Sequence, residues 1–225
     1  MIDLHTHTLL SDGVLLPSEL IRRAEMSGYR VIGITDHVDK ATIDHVLPRI
    51  KKVCLDLIPK VGIHIIPGVE LTHIPPEDFL DMVKYSRANG ACVVVGHGET
   101  IVEPVKEGTN RAAIEAGVDI LAHPGNISEA DACLARERGV CLEISARKGH
   151  CLCNGHVVKM ALRAGAQLVL DTDTHTPDNL ITRETAGRIA QGAGLDSAQI
   201  NEILIKGTEL LVKRLLARVE SLKEK

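Results

Sequence analysis

Imidazoles and carboxylates recur in this chain just where short apolar runs end. His5 and His7 follow the run 1–4, with Asp12 five residues beyond His7. Asp36 and His37 follow 31–35, Glu70 follows 63–69 and His97 follows 91–95. His123 follows 118–122, Glu143 stands inside 140–145, and Asp173 and His175 follow 167–172. A single histidine after an apolar run is ordinarily a polar loop residue. A whole set gathered on one rim would repel or stay unsatisfied without a counter-charge. Divalent cations supply one, and mixed His/Asp/Glu donor sets suit Zn, Mn or Fe. On an extended chain, residues two apart project to the same side, so His5 and His7 can serve one ion, and Asp173 and His175 repeat that geometry.

The elements that would carry these residues follow from patterning. Val-, Ile- and Leu-rich runs alternate with helical stretches near 17–27, 42–59, 76–88, 109–116, 128–138 and 154–164. Pro17-Ser18-Glu19, Pro76-Glu77-Asp78, Ser128-Glu129 and Asn154 supply start signals. Gly28, Gly90, Gly117, Gly139 and Gly165 stand where helices stop. Uniformly apolar strands alternating with helices predict a parallel sheet covered on both faces. Seven such units in an undivided chain predict an α/β fold, a seven-stranded (β/α) barrel more than an open doubly wound sheet, with additional C-terminal helices near 182–193, 197–206 and 208–223. In the last two segments, Ile200, Ile203, Leu204, Leu210, Leu211 and Leu215 read as core-facing. All strand ends of a parallel barrel share one face, where such folds build active sites. The last strand lies beside the first, so the His5/His7 and Asp173/His175 pairs are expected to be neighbours.

The remaining histidines read as ordinary: His45 and His156 on helices, His64 early in a strand, His73 and His150 in loops, although His150 could reach the rim. Asp36 is expected to orient His37 or its loop, and Glu143 to serve either as an outer partner or as a direct contact. Arg147, with Lys148 beside it and Arg183 more distant, is the candidate anchor for a phosphate group, weighed evenly against a solvated surface charge.

With 26 Lys+Arg against 30 Asp+Glu, a net charge of −4 gives no general attraction to nucleic acid or an anionic membrane. Three aromatic residues, Tyr29, Phe79 and Tyr85, cannot build a base-stacking platform, so long nucleic acid is not the expected partner. No apolar run approaches the ~18 residues of a membrane span, and Asp3, His5 and His7 interrupt any secretory signal, so a cytoplasmic location is expected. Six cysteines without a C-x-x-C pair read as reduced thiols. One domain over 1–225 is expected, and no feature selects an oligomeric state.

In this order the motifs resemble the polymerase-and-histidinol-phosphatase (PHP) family: D-L-H-T-H-T-x-x-S-D-G at 3–13, I-T-D-H at 34–37, P-G-V-E at 67–70, G-H-G-E at 96–99, A-H-P-G-N at 122–126 and D-T-D-T-H at 171–175. The resemblance implies a distorted seven-stranded barrel, two to three divalent ions and hydrolysis of phosphate esters. Carried over by position, it assigns one ion to His5, His7, Glu70 and Asp173. It assigns a second to His37 and His175 with Asp12, and a third to Glu70, His97 and His123, Glu70 bridging. The A-H-P-G-N segment most resembles stand-alone phosphatase-like members. A small phosphomonoester hydrolysed by a metal-activated hydroxide is therefore the expected reaction. The alternatives are a phosphodiesterase or exonuclease acting on nucleotides or short oligonucleotides, and a non-catalytic metal-binding barrel.

Other chemistries fit less well. Cys141 and Arg147 have the C-x5-R spacing of cysteine phosphatases, but the residues between them form a β-type run without the glycine-rich anion loop. Asp171 and Asp173 have the D-x-D spacing of haloacid-dehalogenase phosphatases, but Thr174-His175 does not fit that loop. An amidohydrolase would be expected to have eight strands and often a metal-bridging Lys, and no Lys stands at a strand end here.

Overall fold

The computed structural model describes residues 1–224, apart from the side chains of Ile203 and Leu204, whose core-facing reading lies outside the described residues. Among the described residues eight strands are seen: β1 (Ile2–Asp3), β2 (Val31–Ile34), β3 (His37–Val38), β4 (His64–Leu71), β5 (Val93–His97), β6 (Ile120–Ala122), β7 (Cys141–Ser145) and β8 (Leu168–Asp171). All pairings are parallel, in the order β1-β2-β4-β5-β6-β7-β8, with β3 also on β4. β2 and β3 occupy one position in the barrel. Ile34 faces Pro67 and His37 faces Glu70, so both pieces keep the same register on β4 across the break at Thr35-Asp36. Seven strand positions result, as expected from the sequence.

Helices α1 (Pro17–Met26), α2 (Ile43–Leu57), α3 (Phe79–Ala88), α4 (Thr109–Ala116), α5 (Glu129–Arg138) and α6 (Asn154–Ala164) cover the sheet. The five predicted stop glycines all adopt positive φ, from 68° at Gly139 to 102° at Gly90. α7 (Arg183–Gly192), α8 (Ser197–Gln199), a π-helical segment (Ile200–Lys206) and α9 (Gly207–Lys223) follow. The two-residue period of the strands divides the core in two. Val93, Val95, Ile120, Ala122, Cys141 and Val169 gather with Leu4 and Ile66 around the barrel axis, and Leu211, Val212, Leu215 and Val219 of α9 pack onto that cluster. The residues between them, such as Val94, Leu121 and Leu168, pack in the larger cluster that includes the surrounding helices. Leu210 departs from the expectation: it is 72% exposed. The π segment shifts helical phase just before it, so the apolar period read across 200–215 does not carry through.

α9 is fixed across the N-terminal ends of the strands by buried Asp119. Its carboxylate accepts from Arg218 at 2.9 Å, from Arg87 at 3.0 Å and from the amide of Val94 at 3.0 Å, with Arg214 at 3.5 Å. The opposite end of the barrel carries the polar residues. There the segments that follow β1 and β8 form an isolated bridge between Thr6 and Thr174, and buried side chains help close the seam. Asp171 accepts from the amide of Leu4 at 2.6 Å, and Asp3 from the hydroxyl of Thr172 at 2.6 Å. Among the described residues, no helix is long and apolar enough to cross a membrane.

Candidate metal centre

Strand register explains why the polar groups converge. Glu70, His97 and Glu143 continue the inward-facing parity of Ile66, Val95 and Cys141, so the inward positions turn from apolar to polar toward the C-terminal end of these strands. His123 and Asp173 reach the same space by a backbone turn, with φ of 28° and 51°. Left-handed backbone at non-glycine residues is costly, and it concentrates at functional sites.

The resulting cluster is dense. Glu70 lies 2.6 Å from His37, 3.3 Å from His5, and 3.6 Å from both His7 and His123. Asp173 lies 3.1 Å from His7 and 3.3 Å from His175. Asp12, half-exposed on the loop after β1, comes within 3.0 Å of His175 and 3.6 Å of His37. The His7 and His175 rings stack at 4.1 Å, so the first and last motifs are neighbours as expected. Donor atoms fall into four overlapping sets, within each of which they lie no more than 4.8 Å apart: His7, Asp12, His37 and His175; His5, His123 and Asp173; His5, His7 and Glu70; Glu70, His97 and His123. These sets contain every residue carried over from the family motifs. They differ in that His7 also faces the Asp12 set, and His123 also faces His5 and Asp173.

The chemistry of these atoms fits divalent cations. His5 Nε2, His7 Nε2, Glu70 Oε2, Asp173 Oδ1 and His175 Nε2 meet other members of the cluster, while His7 Nδ1, Glu70 Oε1 and Nδ1 of His97 and His123 are buried without a hydrogen-bond partner. Each such atom costs about 1–3 kcal/mol unless something satisfies it. Burial, with His37 and His5 nearby, holds His7 well below the ordinary imidazole value. Burial and His97 do the same to His123, which favours the neutral ring, with a lone pair free, at both positions. Burial pushes Glu70 upward, but His5 and His37 outweigh it and hold its carboxyl well below the usual range.

Surrounding residues set the orientation. Glu143, with no solvent exposure, meets His5 Nδ1 at 2.6 Å, which turns Nε2 toward Glu70 and Asp173. Thr72 meets His37 Nδ1 at 2.6 Å. Asp36 orients the loop rather than His37: it accepts from the amide of Thr8 at 2.8 Å and from the amide and hydroxyl of Ser11 at 3.1 and 2.8 Å, just before Asp12.

Arg147 joins the cluster. It donates to the carbonyl of Asp173 at 3.1 Å, meets His175 Nδ1, and holds Nε 3.6 Å from Asp173 Oδ2. Lys148 is exposed, and no described contact ties it to the cluster. Arg183 lies at the other end of the barrel, near Met1 and Arg30. Two further residues stand at the cluster. His150, read as a loop residue that could reach the rim, does reach it: it is buried, stacks on His123 at 4.1 Å and points Nε2 to within 3.8 Å of Asp173. Glu103 sits in the loop after β5, 3.0 Å from His97 and 3.5 Å from His150. No strand end flags either position.

A parallel barrel with a His/Asp/Glu cluster on its C-terminal rim is the class of protein that fold and site define. The PHP domain model matches residues 3–182, and the chain belongs to the PHP family. An uncharacterized protein of Methanocaldococcus jannaschii is 42% identical over 221 residues, covering 95% of this chain and 99% of its own length. A 5'-3' exoribonuclease of Haemophilus influenzae is 41% identical over 70 residues, 31% of this chain and 23% of the relative. Among solved structures, histidinol phosphate phosphatase from Lactococcus lactis, in complex with zinc, L-histidinol and phosphate, superposes with a TM-score of 0.60 at 17% identity, covering 87% of this chain and 94% of that one.

Proposed function

We propose that this chain is a metal-dependent phosphomonoesterase acting on a small phosphorylated substrate. The observation that carries the reading is the cluster of buried, partnerless donor atoms on the barrel rim, with the Arg147 guanidinium against Asp173 and His175. His5, His7, Glu70 and Asp173 would hold one ion, His37, His175 and Asp12 a second, and His97, His123 and Glu70 a third. Bound there, divalent ions neutralise developing phosphoryl charge and lower the pKa of water to about 7.

The chain's own residues supply the rest. Glu70 stands between the donor sets and ties them together. Glu143 fixes the orientation of His5, and Asp36 that of the loop bearing Asp12. Arg147 offers a guanidinium to a phosphoryl oxygen, the geometry that best suits a charge-assisted pair. The Lactococcus lactis structure supports a small monoester, since that protein of the same fold is in complex with zinc, L-histidinol and phosphate. The exoribonuclease relatives support a phosphodiester alternative, but over about a third of the chain.

Phosphate release with Mn(II) or Zn(II) against histidinol phosphate, sugar phosphates, AMP and a short oligonucleotide tests the reading. Preference for a monoester, abolished by chelator, is the expected outcome. Preference for the oligonucleotide would replace it with the nuclease reading, and no hydrolysis despite bound metal would leave a metal-binding barrel.

A further inference from the structure

We propose that Glu103 is a positioning residue for the third metal site, setting the tautomer of His97 so that Nδ1, not Nε2, is the nitrogen given to the ion. The inference rests on the metal reading above but not on any choice of substrate. Glu103 Oε2 lies 3.0 Å from His97 Nε2, while His97 Nδ1 is buried and has no hydrogen-bond partner. A neutral imidazole carries one proton. With Nε2–H given to the carboxylate, the lone pair falls on Nδ1, the atom left without a partner. Imidazole ligands of metals are characteristically held in this way, one ring nitrogen on a carboxylate and the other free for the ion. Glu143 makes the equivalent contact with His5 from inside the barrel, where it holds Nδ1.

Glu103 differs in coming from a loop, and that loop is itself held in place. Its second oxygen lies 3.5 Å from His150 Nε2. Thr100 meets His150 Nδ1 at 2.8 Å, and Val102 lies against Gly149, where an added Cβ would come within 3.5 Å of it. The loops after β5 and β7 thus clasp each other beside His97 and His123, with Glu103 as the charged member. At 37% side-chain exposure, Glu103 is accessible enough to be replaced without opening the core.

Two measurements on the full chain test this. Zinc titrations of Glu103→Gln and Glu103→Ala should show one class of sites weakened about 10–100-fold, Ala more than Gln, with the other sites and the thermal stability of the metal-free protein unchanged. Long-range proton–nitrogen NMR of labelled protein should show His97 protonated at Nε2 without metal and metal-shifted at Nδ1 with zinc. Unchanged zinc affinity in both variants, or a metal shift at Nε2, would overturn the assignment. Wild-type protein that binds no zinc would instead overturn the metal reading on which it rests.

Discussion

His37 and Glu70 stand opposite each other in the β3–β4 ladder, and their side chains meet at 2.6 Å. That pairing depends on β3 resuming the register of β2 after the break at Thr35-Asp36. It places a carboxylate from the middle of the sheet among imidazoles from three other strand ends: His5, His37 and His123.

Glu70→Gln is therefore expected to damage more than one donor set at once. It keeps the side chain's shape but removes the charge that faces His5, His7, His37 and His123. Bound metal should fall by more than one ion per chain, and activity by more than the roughly 10–100-fold typical of an outer partner. Elemental analysis alongside kcat/KM checks this; loss of activity with full metal content would remove Glu70 from its bridging role.

Arg147→Ala should separate substrate binding from metal binding. The guanidinium meets the carbonyl of Asp173 and Nδ1 of His175, whose other nitrogen is the one that faces Asp12. Losing one charge-assisted contact, about 1.5–3 kcal/mol, should raise KM roughly 10–100-fold with metal content intact. Unchanged kinetics would place the arginine outside the substrate site, and Lys148→Ala gives the comparison for an exposed neighbour.

Metal binding should release protons. Burial, opposed by His5, pushes Asp173 up to about 7 in the metal-free protein. At that pH about half of the carboxyl groups are protonated and more as the pH falls, and a cation that takes the oxygen must expel the proton. Apparent zinc affinity should therefore weaken as pH falls through 7, with protons released on binding, as titration calorimetry in buffers of different ionisation enthalpy would register. A flat affinity and no proton release would contradict the placement of Asp173 against an ion.

Asp119→Ala probes the far end of the barrel. Removing the carboxylate shared by Arg87, Arg214 and Arg218 releases α9 from the strand ends. The guanidinium groups are partly exposed, so the cost is set at about 2 kcal/mol. Thermal unfolding should shift down by about 4–8 °C. Metal content below that transition should not change, because the change lies at the end of the barrel opposite the cluster.

Much of this architecture was legible because alternating apolar strands and helices, punctuated by glycines, leave few topologies open. His5, His7, Glu70, His97, His123, Asp173 and His175 were legible for the same reason: polar groups at the ends of apolar strands share one rim. Glu103 was not, because its place depends on how the loop after β5 folds back, which no period encodes. His150 was legible only as a loop residue able to reach the rim, and its burial comes from packing between Thr100, Glu103 and His123. Leu210 was misplaced because a π-helical segment precedes α9 and breaks the phase of the pattern.

Anomalous diffraction at the zinc edge, from crystals grown with zinc, tests the central claim most directly. Two or three peaks are expected on the C-terminal rim, between His5, His7, Glu70 and Asp173, beside His37 and His175, and beside His97 and His123. An empty rim under saturating zinc, or peaks confined to the molecular surface, would contradict the metal centre and the hydrolytic function proposed from it.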